Sequence, residues 1–436
     1  MKLLSRPATR GLSGTIRPPG DKSISHRAAI LGGLADGRTR IDGFLLADDT
    51  LATLQAMQSL GADIQRSDDQ VEIIGQTLQA PRMDINLGNS GTGLRLLTGA
   101  ICGHPDLFGQ RLRLVGDESL SGRPMGRIIE PLQRMGASIT SNEQRAPLLV
   151  EPKPLTGCTH ALKIASAQVK SAILLAGLQA QGITRVNEPG ISRDHTERML
   201  PDFGIRVQHH SDAVELTGPQ QLQHSVVHVP ADLSSAAFLL AAALLVPGSD
   251  IRLQAVGMNP SRDGFLRIVK GMIADDRLQL QPTAESDGRE PMADLQARYA
   301  DRRTGTTIAP ELVPLAIDEF PLLMAMAATA SGQTVISGAA ELRVKESDRL
   351  AVMCRQLQTL GVELEERPDG AVVTGGPIRG GAVDAAGDHR IAMSLAVLGQ
   401  VAQAPVEIDR AEWIRTSYPQ FVEHMNQLGA NMAWVD

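Results

Sequence analysis

The chain has 436 residues, of which 42% are apolar and 21% charged, and its formal net charge is −7. This length exceeds one ordinary hydrophobic core, so two domains are expected. The acidic balance argues against nucleic acid or an anionic membrane as a partner, and the longest apolar run, 236–246, is about half of a membrane span. Three scattered cysteines indicate neither a disulfide framework nor a zinc site. We expect a soluble, cytoplasmic globular protein.

The first predicted helix follows a break at residues 18–20, which read Pro-Pro-Gly. We expect Ser23 or Ser25 to cap this helix. Lys22, Ser23 and Arg27 then lie near a helix start, where free backbone N–H groups and the helix dipole favour an anion. An ordinary capped surface helix that carries two cations is the alternative interpretation.

One pattern returns along the chain at intervals of roughly seventy residues. A first helix rich in Ala and Leu is followed by a short β-like run, a second helix that stops at a Gly, and further strands. A period of this length, found six times, points to internal duplication. The predicted first helices begin near Ser25, Gly91, Ala167, Ser234, Asp318 and Asp388, and the second helices near Asp48, Arg123, Arg193, Arg262, Lys345 and Ser417.

Six repeats divide most simply into two lobes of three. The chain is expected to cross between lobes near 18–20 and 229–232, so the first lobe is 20–230 and the second is 1–19 with 231–436. Two adjacent crossings make a hinge, and a hinge makes a cleft that can close on a ligand. In the fourth repeat, we interpret the polar segment 274–307 as an irregular hairpin insertion.

The second repeat opens with a glycine-rich turn, 87–95, in which Gly91 allows close approach of a ligand while Asn89 supplies a donor. Its spacing fits neither a dinucleotide fingerprint nor an NTPase phosphate loop, and a plain helix start is the alternative. Arg123 precedes a Pro at a predicted first helical turn, a position suited to clamping a carboxylate or phosphate.

The third repeat places a hydroxyl, an amide and a cation at another helix start, in Ser166, Gln168 and Lys170. Arg193 and His195 come at its second helix. We interpret Lys170 as a solvated side chain, and His195 as a residue that caps or packs.

The fifth and sixth repeats carry the acid–base candidates. Asp318 stands at the entry to an apolar run, where a low dielectric would raise its pKa toward that of a useful base, although capping alone would also explain it. Lys345 and Arg349 are predicted to share one helical face with Glu346 between them, and a salt-bridged surface helix is the alternative. Arg390 follows a capping Asp in the sixth repeat.

An acidic protein with many cations at helix starts is suited to ligands that bear several negative charges, such as phosphates and carboxylates. No metal-ligand spacing and no nucleophile–base arrangement is visible in the sequence. The residues therefore predict a two-lobed enzyme that acts on small polyanions by proton transfer and electrostatic stabilisation. The cations are Lys22, Arg27, Arg95, Arg123, Arg193, Lys345, Arg349 and Arg390.

Four motifs carry a resemblance to a known family: PGDKSISHR at 19–27, LGNSGT at 87–92, RVKESDR at 343–349 and DHR at 388–390. The chain resembles the 5-enolpyruvylshikimate-3-phosphate synthases, a family of enolpyruvyl transferases, over essentially its whole length. The resemblance implies an α/β fold, a two-lobed inverse α/β barrel with three βαβαββ repeats per lobe. It also implies a monomer that needs no cofactor and no metal.

The family condenses phosphoenolpyruvate with shikimate 3-phosphate through a tetrahedral intermediate that then loses phosphate. By resemblance, Asp318 accepts the proton of the substrate 5-hydroxyl, while Glu346 and Lys22 serve proton transfer at the methylene carbon and the charge of the leaving phosphate. Asn89, Arg193 and His389 are further expected substrate-binding residues. Shikimate 3-phosphate is expected to be held by Lys22, Ser23, Arg27, Ser166, Gln168, Asp318 and Lys345, and phosphoenolpyruvate by Lys22, Gly91, Arg123, Gln168, Arg349 and Arg390.

Two positions at which members of the family differ from one another bear on ligands. Thr416 occupies the place of a Lys that contacts phosphoenolpyruvate in enterobacterial-type members. A second, herbicide-tolerant class, which the segments 166–168 and 193–195 resemble, carries Ala where this chain has Gly91, and that extra methyl group crowds glyphosate. With Gly91 present, we expect glyphosate to enter and compete with phosphoenolpyruvate.

Two other functions are alternatives. The enzymes that transfer enolpyruvyl to UDP-N-acetylglucosamine share the fold, but they usually carry Lys-Asn where this chain has Lys-Ser at 22–23, and a loop cysteine that neither Cys102 nor Cys158 matches. A non-catalytic module that binds polyanions is the second alternative. Its catalytic groups would have decayed, whereas this chain retains Lys22, Asp318 and Glu346.

Overall fold

The computed structural model describes residues 1–283 and 290–435. The chain forms two compact units. Unit I is Gly20–Val229, and unit II is Met1–Pro19 together with Pro230–Asp436. Each unit has its own cluster of buried apolar side chains. None of the helices in the described part of the chain combines the length and the hydrophobicity that a membrane span requires.

The strands are numbered in chain order. Those up to residue 229 are β1 (Lys2–Arg6), β2 (Ser13–Ile16), β3 (Gly37–Asp42), β4 (Asp63–Ser67), β5 (Gln70–Gly75), β6 (Ile85–Asn86), β7 (Leu112–Val115), β8 (Ser138–Asn142), β9 (Arg145–Glu151), β10 (Thr159–Ala161), β11 (Gly182–Asn187), β12 (Gln208–His209), β13 (Ala213–Gly218) and β14 (Val226–His228). The later strands are β15 (Asp250–Gly257), β16 (Leu278–Pro282), β17 (Met292–Arg298), β18 (Gln333–Ile336), β19 (Glu363–Arg367), β20 (Gly370–Thr374), β21 (Gly381–Asp384), β22 (Val406–Asp409) and β23 (Asn431–Val435).

The helices are numbered in the same way. In unit I they are α1 (Lys22–Leu34), α2 (Asp48–Ser59), α3 (Gly91–Ile101), α4 (Glu118–Ser121), α5 (Gly126–Arg134), α6 (Ala167–Gly177) and α7 (His195–Met199). In unit II they are α8 (Leu233–Leu245), α9 (Gly264–Met272), α10 (Val313–Ala316), α11 (Phe320–Ala327), α12 (Arg349–Thr359), α13 (His389–Gly399) and α14 (Phe421–Leu428).

Within the described residues the strands form six sheets, three in each unit. Those of unit I have the orders β14-β3-β5-β4, β6-β7-β9-β8 and β10-β11-β13-β12. In each of them the first two strands are parallel and the remaining pairs are antiparallel. Because β14 is the last strand of the unit and pairs with β3, the end of the unit completes its first sheet.

The sheets of unit II have the orders β16-β17-β15-β2, β18-β20-β19 and β21-β22-β1-β23. The N-terminal segment therefore supplies two of their strands. β2 pairs parallel with β15, and β1 lies between β22 and β23, with Leu3 opposite both Ile408 and Trp434. In the three-stranded sheet, isolated parallel bridges at Thr304 and Thr307 stand where the others have a fourth strand.

The centre of each unit is made of helices. In unit I, α3 packs against both α1 and α6, and in unit II, α8, α11 and α13 pack against one another. Each also packs on strands of its own sheet, as α6 does on β11 and β13. Every residue of α8 and α13 is buried, which suits their Ala- and Leu-rich sequences. At Gly99 of α3, a Cβ would lie 2.2 Å from the carbonyl oxygen of Ala172 in α6, so only glycine permits this close approach.

The predicted α/β class is confirmed, and each predicted repeat corresponds to one sheet and its helices. The predicted Gly stops are also observed, since φ is 109° at Gly61 after α2, 87° at Gly361 after α12 and 109° at Gly429 after α14. One interpretation was wrong. In the segment 274–307, β16 and β17 form an antiparallel pair in the place that β4 and β5 occupy in their sheet, so this hairpin belongs to the repeat; residues 284–289 of the segment lie outside the described residues.

Candidate functional site

The candidate residues fall into one set in each unit. Unit I carries Lys22, Ser23, Arg27, Asn89, Gly91, Arg123, Ser166, Gln168 and Arg193, and unit II carries Asp318, Lys345, Glu346, Arg349, His389 and Arg390.

In unit I, the first cluster lies at the start of α1. Asp21 caps this helix by accepting a hydrogen bond from the N–H of Ile24 at 2.9 Å, so the prediction that Ser23 or Ser25 is the cap was wrong. The Ser23 hydroxyl is therefore not needed for capping. Lys22 is the first helical residue, and its ammonium group contacts the carboxylate of Asp49 in α2.

Arg27, one turn further along α1, is buried and ties this helix to the third repeat. Its Nε donates to Thr196 Oγ1 at 2.7 Å, its Nη2 to Ser171 Oγ at 2.7 Å, and its Nη1 to the carbonyl oxygen of Ser23 at 2.9 Å. Thr196 lies in α7 and Ser171 in α6. The cation is thus held in a fixed position beside the start of α1.

The second cluster surrounds the start of α3, where the predicted helix start at Gly91 is confirmed and Ser90 caps the helix. Arg123 donates to Asn89 Oδ1, and Asn89 donates to Asp117 Oδ2 at 2.8 Å. Arg123 does not open a helix as predicted, because it lies in the turn between α4 and α5. From this turn its guanidinium still reaches the start of α3.

Gly91 lies against two guanidinium groups. A Cβ at this position would be 3.0 Å from Nη1 of Arg95 and 3.1 Å from Nη1 of Arg123. Arg95 also donates to Gln168 Oε1 at 2.5 Å, and Gln168 donates to Thr92 Oγ1 at 2.9 Å. Residues from the starts of α3 and α6 are therefore joined around one pair of cations.

The interpretation of Lys170, in α6, as a solvated side chain was wrong. Its side chain is 3% exposed, and its ammonium group lies 2.5 Å from Glu188 and 2.7 Å from Glu197. Burial alone would lower the pKa of Lys170, but the two carboxylates raise it above its ordinary value. Ser192 donates to Glu188 at 2.5 Å, so the ion pairs also hold the loop that leads to Arg193. His195 is buried, in line with its interpretation as a packing residue.

In unit II, Arg349 is the hub of the candidate site. It is 1% exposed, and three carboxylates surround it: Nε donates to Asp388 at 2.8 Å, Nη1 to Asp318 at 3.3 Å, and Nη2 pairs with Glu346 at 2.6 Å. Burial alone would lower the pKa of Arg349, but these carboxylates raise it above its ordinary value. The two candidate carboxylates of unit II, Asp318 and Glu346, are therefore held by the same cation. Asp318 lies in a 3-10 turn that leads into α11.

Lys345 does not share a helical face with Arg349, contrary to the prediction, because α12 begins at Arg349 and Lys345 precedes it in extended backbone. Its ammonium group nevertheless lies 4.0 Å from Asp318. Burial lowers the pKa of Lys345 below its ordinary value of 10.5, although Asp318 opposes this. Asp318 thus has two cations beside it, and cations favour the carboxylate form.

At the start of α13, Asp388 caps the helix as predicted, accepting from the N–H of Arg390 at 2.9 Å. Arg390 Nη1 donates to the carbonyl oxygen of Asp318 at 3.2 Å and to Glu319 Oε1 at 3.2 Å. His389 is buried, with its Nδ1 3.4 Å from Thr416 Oγ1. Thr416 therefore touches a candidate residue, although it lacks the cation of the Lys that it replaces.

Sequence reasoning missed the acidic partners of these cations. They are Asp49, Glu188, Glu197 and Glu319, and each is buried or half-buried against a Lys or Arg. The signal was weak, since no local spacing links any of these acids to the cation that it contacts. Across residues 1–283 and 290–435, no group of three or more His, Cys, Asp or Glu side chains is arranged to hold a metal ion.

The chain is similar to known proteins over nearly its whole length. The sequence profile of the family described as EPSP synthase (3-phosphoshikimate 1-carboxyvinyltransferase) matches residues 7–425. The 3-phosphoshikimate 1-carboxyvinyltransferase of Acidithiobacillus ferrooxidans is 50% identical over 432 residues, 98% of each chain. That of Halorhodospira halophila is 51% identical over 426 residues, 96% of this chain and 94% of the relative. A solved structure of EPSP synthase from Acinetobacter baumannii matches with a TM-score of 0.87 and 41% identity, covering 99% of both chains.

Proposed function

The chain belongs to the EPSP synthase family, and on that premise we propose which of its residues perform each part of the reaction. The reaction transfers the enolpyruvyl group of phosphoenolpyruvate to the 5-hydroxyl of shikimate 3-phosphate, and it releases phosphate. In the addition, the 5-hydroxyl oxygen bonds to C2 of phosphoenolpyruvate while C3 gains a proton. In the elimination, phosphate leaves C2 and C3 loses a proton, which restores the double bond.

Asp318 is the acceptor for the proton of the 5-hydroxyl. The supporting observation is the pair of cations beside its carboxylate, Arg349 at 3.3 Å and Lys345 at 4.0 Å, since both favour the ionised form that a base requires. Asp318 also lies next to the wholly buried helix α11, whose apolar side chains limit access of water on that side.

Glu346 and Lys22 transfer the proton to and from C3 and neutralise the charge of the leaving phosphate. Each is paired with a group of opposite charge, Glu346 with Arg349 at 2.6 Å and Lys22 with Asp49. A bound substrate anion competes with such a pair, because phosphate and carboxylate groups seek the same cations. A substrate anion that binds Arg349 therefore frees the carboxylate of Glu346 for proton transfer, and one that binds Lys22 places the ammonium group against the phosphate.

The remaining candidates divide between the two substrates. Ser23, Arg27, Ser166, Gln168, Arg193 and Lys345 bind shikimate 3-phosphate, and Asn89, Gly91, Arg123, Gln168, Arg349, His389 and Arg390 bind phosphoenolpyruvate. The support is that the cations of each set are already oriented by fixed partners, as Arg27 is by Thr196 and Ser171. Cations held before binding need little reorganisation when an anion arrives.

Replacing Asp318 with Asn tests the mechanism, because the amide keeps the shape of the side chain and cannot accept the proton. We expect kcat to fall by about 10²–10⁴-fold, while the Kd of shikimate 3-phosphate, measured by titration calorimetry, changes little. The same substitution at Asp276, a side chain that is 68% exposed, is the control. An Asp318→Asn variant with unchanged kcat would exclude Asp318 as the base, whether or not its affinity for shikimate 3-phosphate falls.

We further propose that the protein is a cytoplasmic monomer without nucleic-acid or membrane partners. The formal net charge of −7 supports the absence of those two kinds of partner, since polyanionic surfaces repel an acidic protein. Light scattering coupled to gel filtration should give the mass of one chain, 46.5 kDa. A dimer mass at micromolar concentration would contradict the proposal.

A further inference from the structure

Glu319 is a buried carboxylate that contacts a proposed substrate-binding cation. It is 3% exposed, and its Oε1 accepts a hydrogen bond from Arg390 Nη1 at 3.2 Å. The same Oε1 also accepts a hydrogen bond from the hydroxyl of Ser234. Glu319 directly follows Asp318, whose carbonyl oxygen accepts a second hydrogen bond from Arg390 Nη1 at 3.2 Å.

The hydrogen bonds continue from Glu319 to the start of α8. Ser234, which donates to Glu319, accepts in turn from Nη2 of Arg262. Arg262 also lies 3.3 Å from the carboxylate of Asp232, the residue that caps α8. The cluster thus holds two guanidinium groups and two carboxylates, so burying it leaves no uncompensated charge. Each side chain in it is at least nine-tenths buried.

The contacts of Arg390 fix the plane of its guanidinium. Nη1 carries two N–H groups, and their acceptors are Glu319 Oε1 and the Asp318 carbonyl oxygen. In the described part of the chain, the side-chain hydrogen bonds of Arg390 all come from Nη1. The edge formed by Nε and Nη2 is the fork that binds a carboxylate through two parallel hydrogen bonds.

We propose that Glu319 is a positioning residue, which holds Nη1 of Arg390 so that the Nε–Nη2 edge is presented to the carboxylate or phosphate of phosphoenolpyruvate. This inference rests on the proposed role of Arg390 in binding that substrate. Glu319 acts through Arg390 and touches no reacting atom. Ser234 and Arg262 support Glu319 from the other side and keep its Oε1 in place.

Replacing Glu319 with Gln removes the charge while keeping the size of the side chain and an Oε1 acceptor. Because a hydrogen bond to a charged group is stronger than a neutral one, we expect the KM for phosphoenolpyruvate to rise about tenfold. The KM for shikimate 3-phosphate should change by less than about twofold, because Arg390 is not among the residues that are proposed to bind that substrate. Glu311→Gln, the same change at an exposed position eight residues upstream, is the matched control and should alter neither KM.

A double-mutant cycle with Arg390→Gln separates positioning from general support of the fold. Arg390→Gln should itself raise the KM for phosphoenolpyruvate, and adding Glu319→Gln should then change that KM by less than about twofold. If Arg390→Gln leaves this KM unchanged, the proposed role of Arg390 fails and the inference fails with it. If Arg390→Gln raises it while Glu319→Gln does not, or if the two effects multiply in full, only the positioning role is overturned.

Ser234→Ala keeps the inference testable if Glu319→Gln does not fold. This variant leaves the ion pair of Glu319 with Arg390 in place and removes the neighbouring hydroxyl that supports it. We expect a smaller rise, about threefold, in the KM for phosphoenolpyruvate alone. Equal rises in both KM values, or no rise in either, would overturn the positioning role.

Discussion

Gly91 offers a prediction whose size follows from the structure. In a Gly91→Ala variant the new methyl carbon would lie 3.0 Å from Arg95 Nη1 and 3.1 Å from Arg123 Nη1, against the 3.4 Å at which ordinary van der Waals contact begins. The guanidinium groups of Arg95 and Arg123 must therefore move away from the methyl carbon by about 0.4 and 0.3 Å, respectively. If a displacement of 1 Å lowers the rate by about 100-fold, this shift lowers kcat/KM for phosphoenolpyruvate by a factor on the order of five.

The Gly91→Ala substitution should weaken the binding of glyphosate more than that of phosphoenolpyruvate. Glyphosate is the longer molecule, so the added methyl group leaves it less room. We therefore expect the inhibition constant of glyphosate to rise by a larger factor than the KM for phosphoenolpyruvate. The wild-type enzyme should be inhibited competitively with phosphoenolpyruvate. Since the φ of Gly91 is not positive and it opens α3, the substitution itself should leave the thermal unfolding midpoint unchanged or slightly raised.

The assay is steady-state phosphate release with phosphoenolpyruvate varied at saturating shikimate 3-phosphate, with and without glyphosate. Gly271→Ala is the control, because a methyl group there meets no atom within 4 Å. The reasoning would be refuted if Gly91→Ala changed neither the KM for phosphoenolpyruvate nor the inhibition by glyphosate. It would equally be refuted if the wild-type enzyme were indifferent to millimolar glyphosate at limiting phosphoenolpyruvate.

Three further predictions concern ionisable side chains. Lys170→Met leaves the carboxylates of Glu188 and Glu197 buried without their cation, which should destabilise the protein by about 3–5 kcal/mol in urea unfolding; an unchanged midpoint would contradict this. Burial, aided by nearby cations, holds the pKa of His26 well below 6.5 in the folded protein. The unfolded chain therefore binds the proton at a higher pH than the folded protein does, and the free energy of unfolding should fall as pH drops below 6.5. A His26→Gln variant should lose part of this acid sensitivity. Because burial lowers the pKa of Lys345, the KM for shikimate 3-phosphate should begin to rise below pH 10.5. A Lys345→Arg variant whose KM depends on alkaline pH in the same way would show that deprotonation of Lys345 is not the cause.

Much of the fold was predictable because its signals are local. A serine before a glycine-rich turn predicted a helix start near Gly91, where α3 begins, and the glycine stops of α2, α12 and α14 were visible as Leu-Gly pairs. Errors arose where two local signals compete. Asp21, Ser23 and Ser25 are all capable caps, and only the folded backbone shows that the side chain of Asp21 is the one that meets a free N–H.

The partners of the candidate residues were not predictable, because they are distant in sequence. Arg27 is fixed by Ser171, 144 residues away, and Lys170 is buried by contacts with one acid that follows β11 and one in α7. No spacing rule links such positions. Similarly, a periodic pattern suggested that Lys345 and Arg349 share a helix, but Asp348 caps α12 just before Arg349, so the helix begins too late to include Lys345. The residue types of the site were thus readable, whereas their burial and pairing were not.

The most direct test of the account is phosphate release from phosphoenolpyruvate by the purified protein with one of two acceptors. We expect release with shikimate 3-phosphate and none with UDP-N-acetylglucosamine, and the Asp318→Asn variant should abolish most of it. Release with the nucleotide sugar alone would contradict the assignment of the acceptor, and no release with either would contradict the enzymatic function itself.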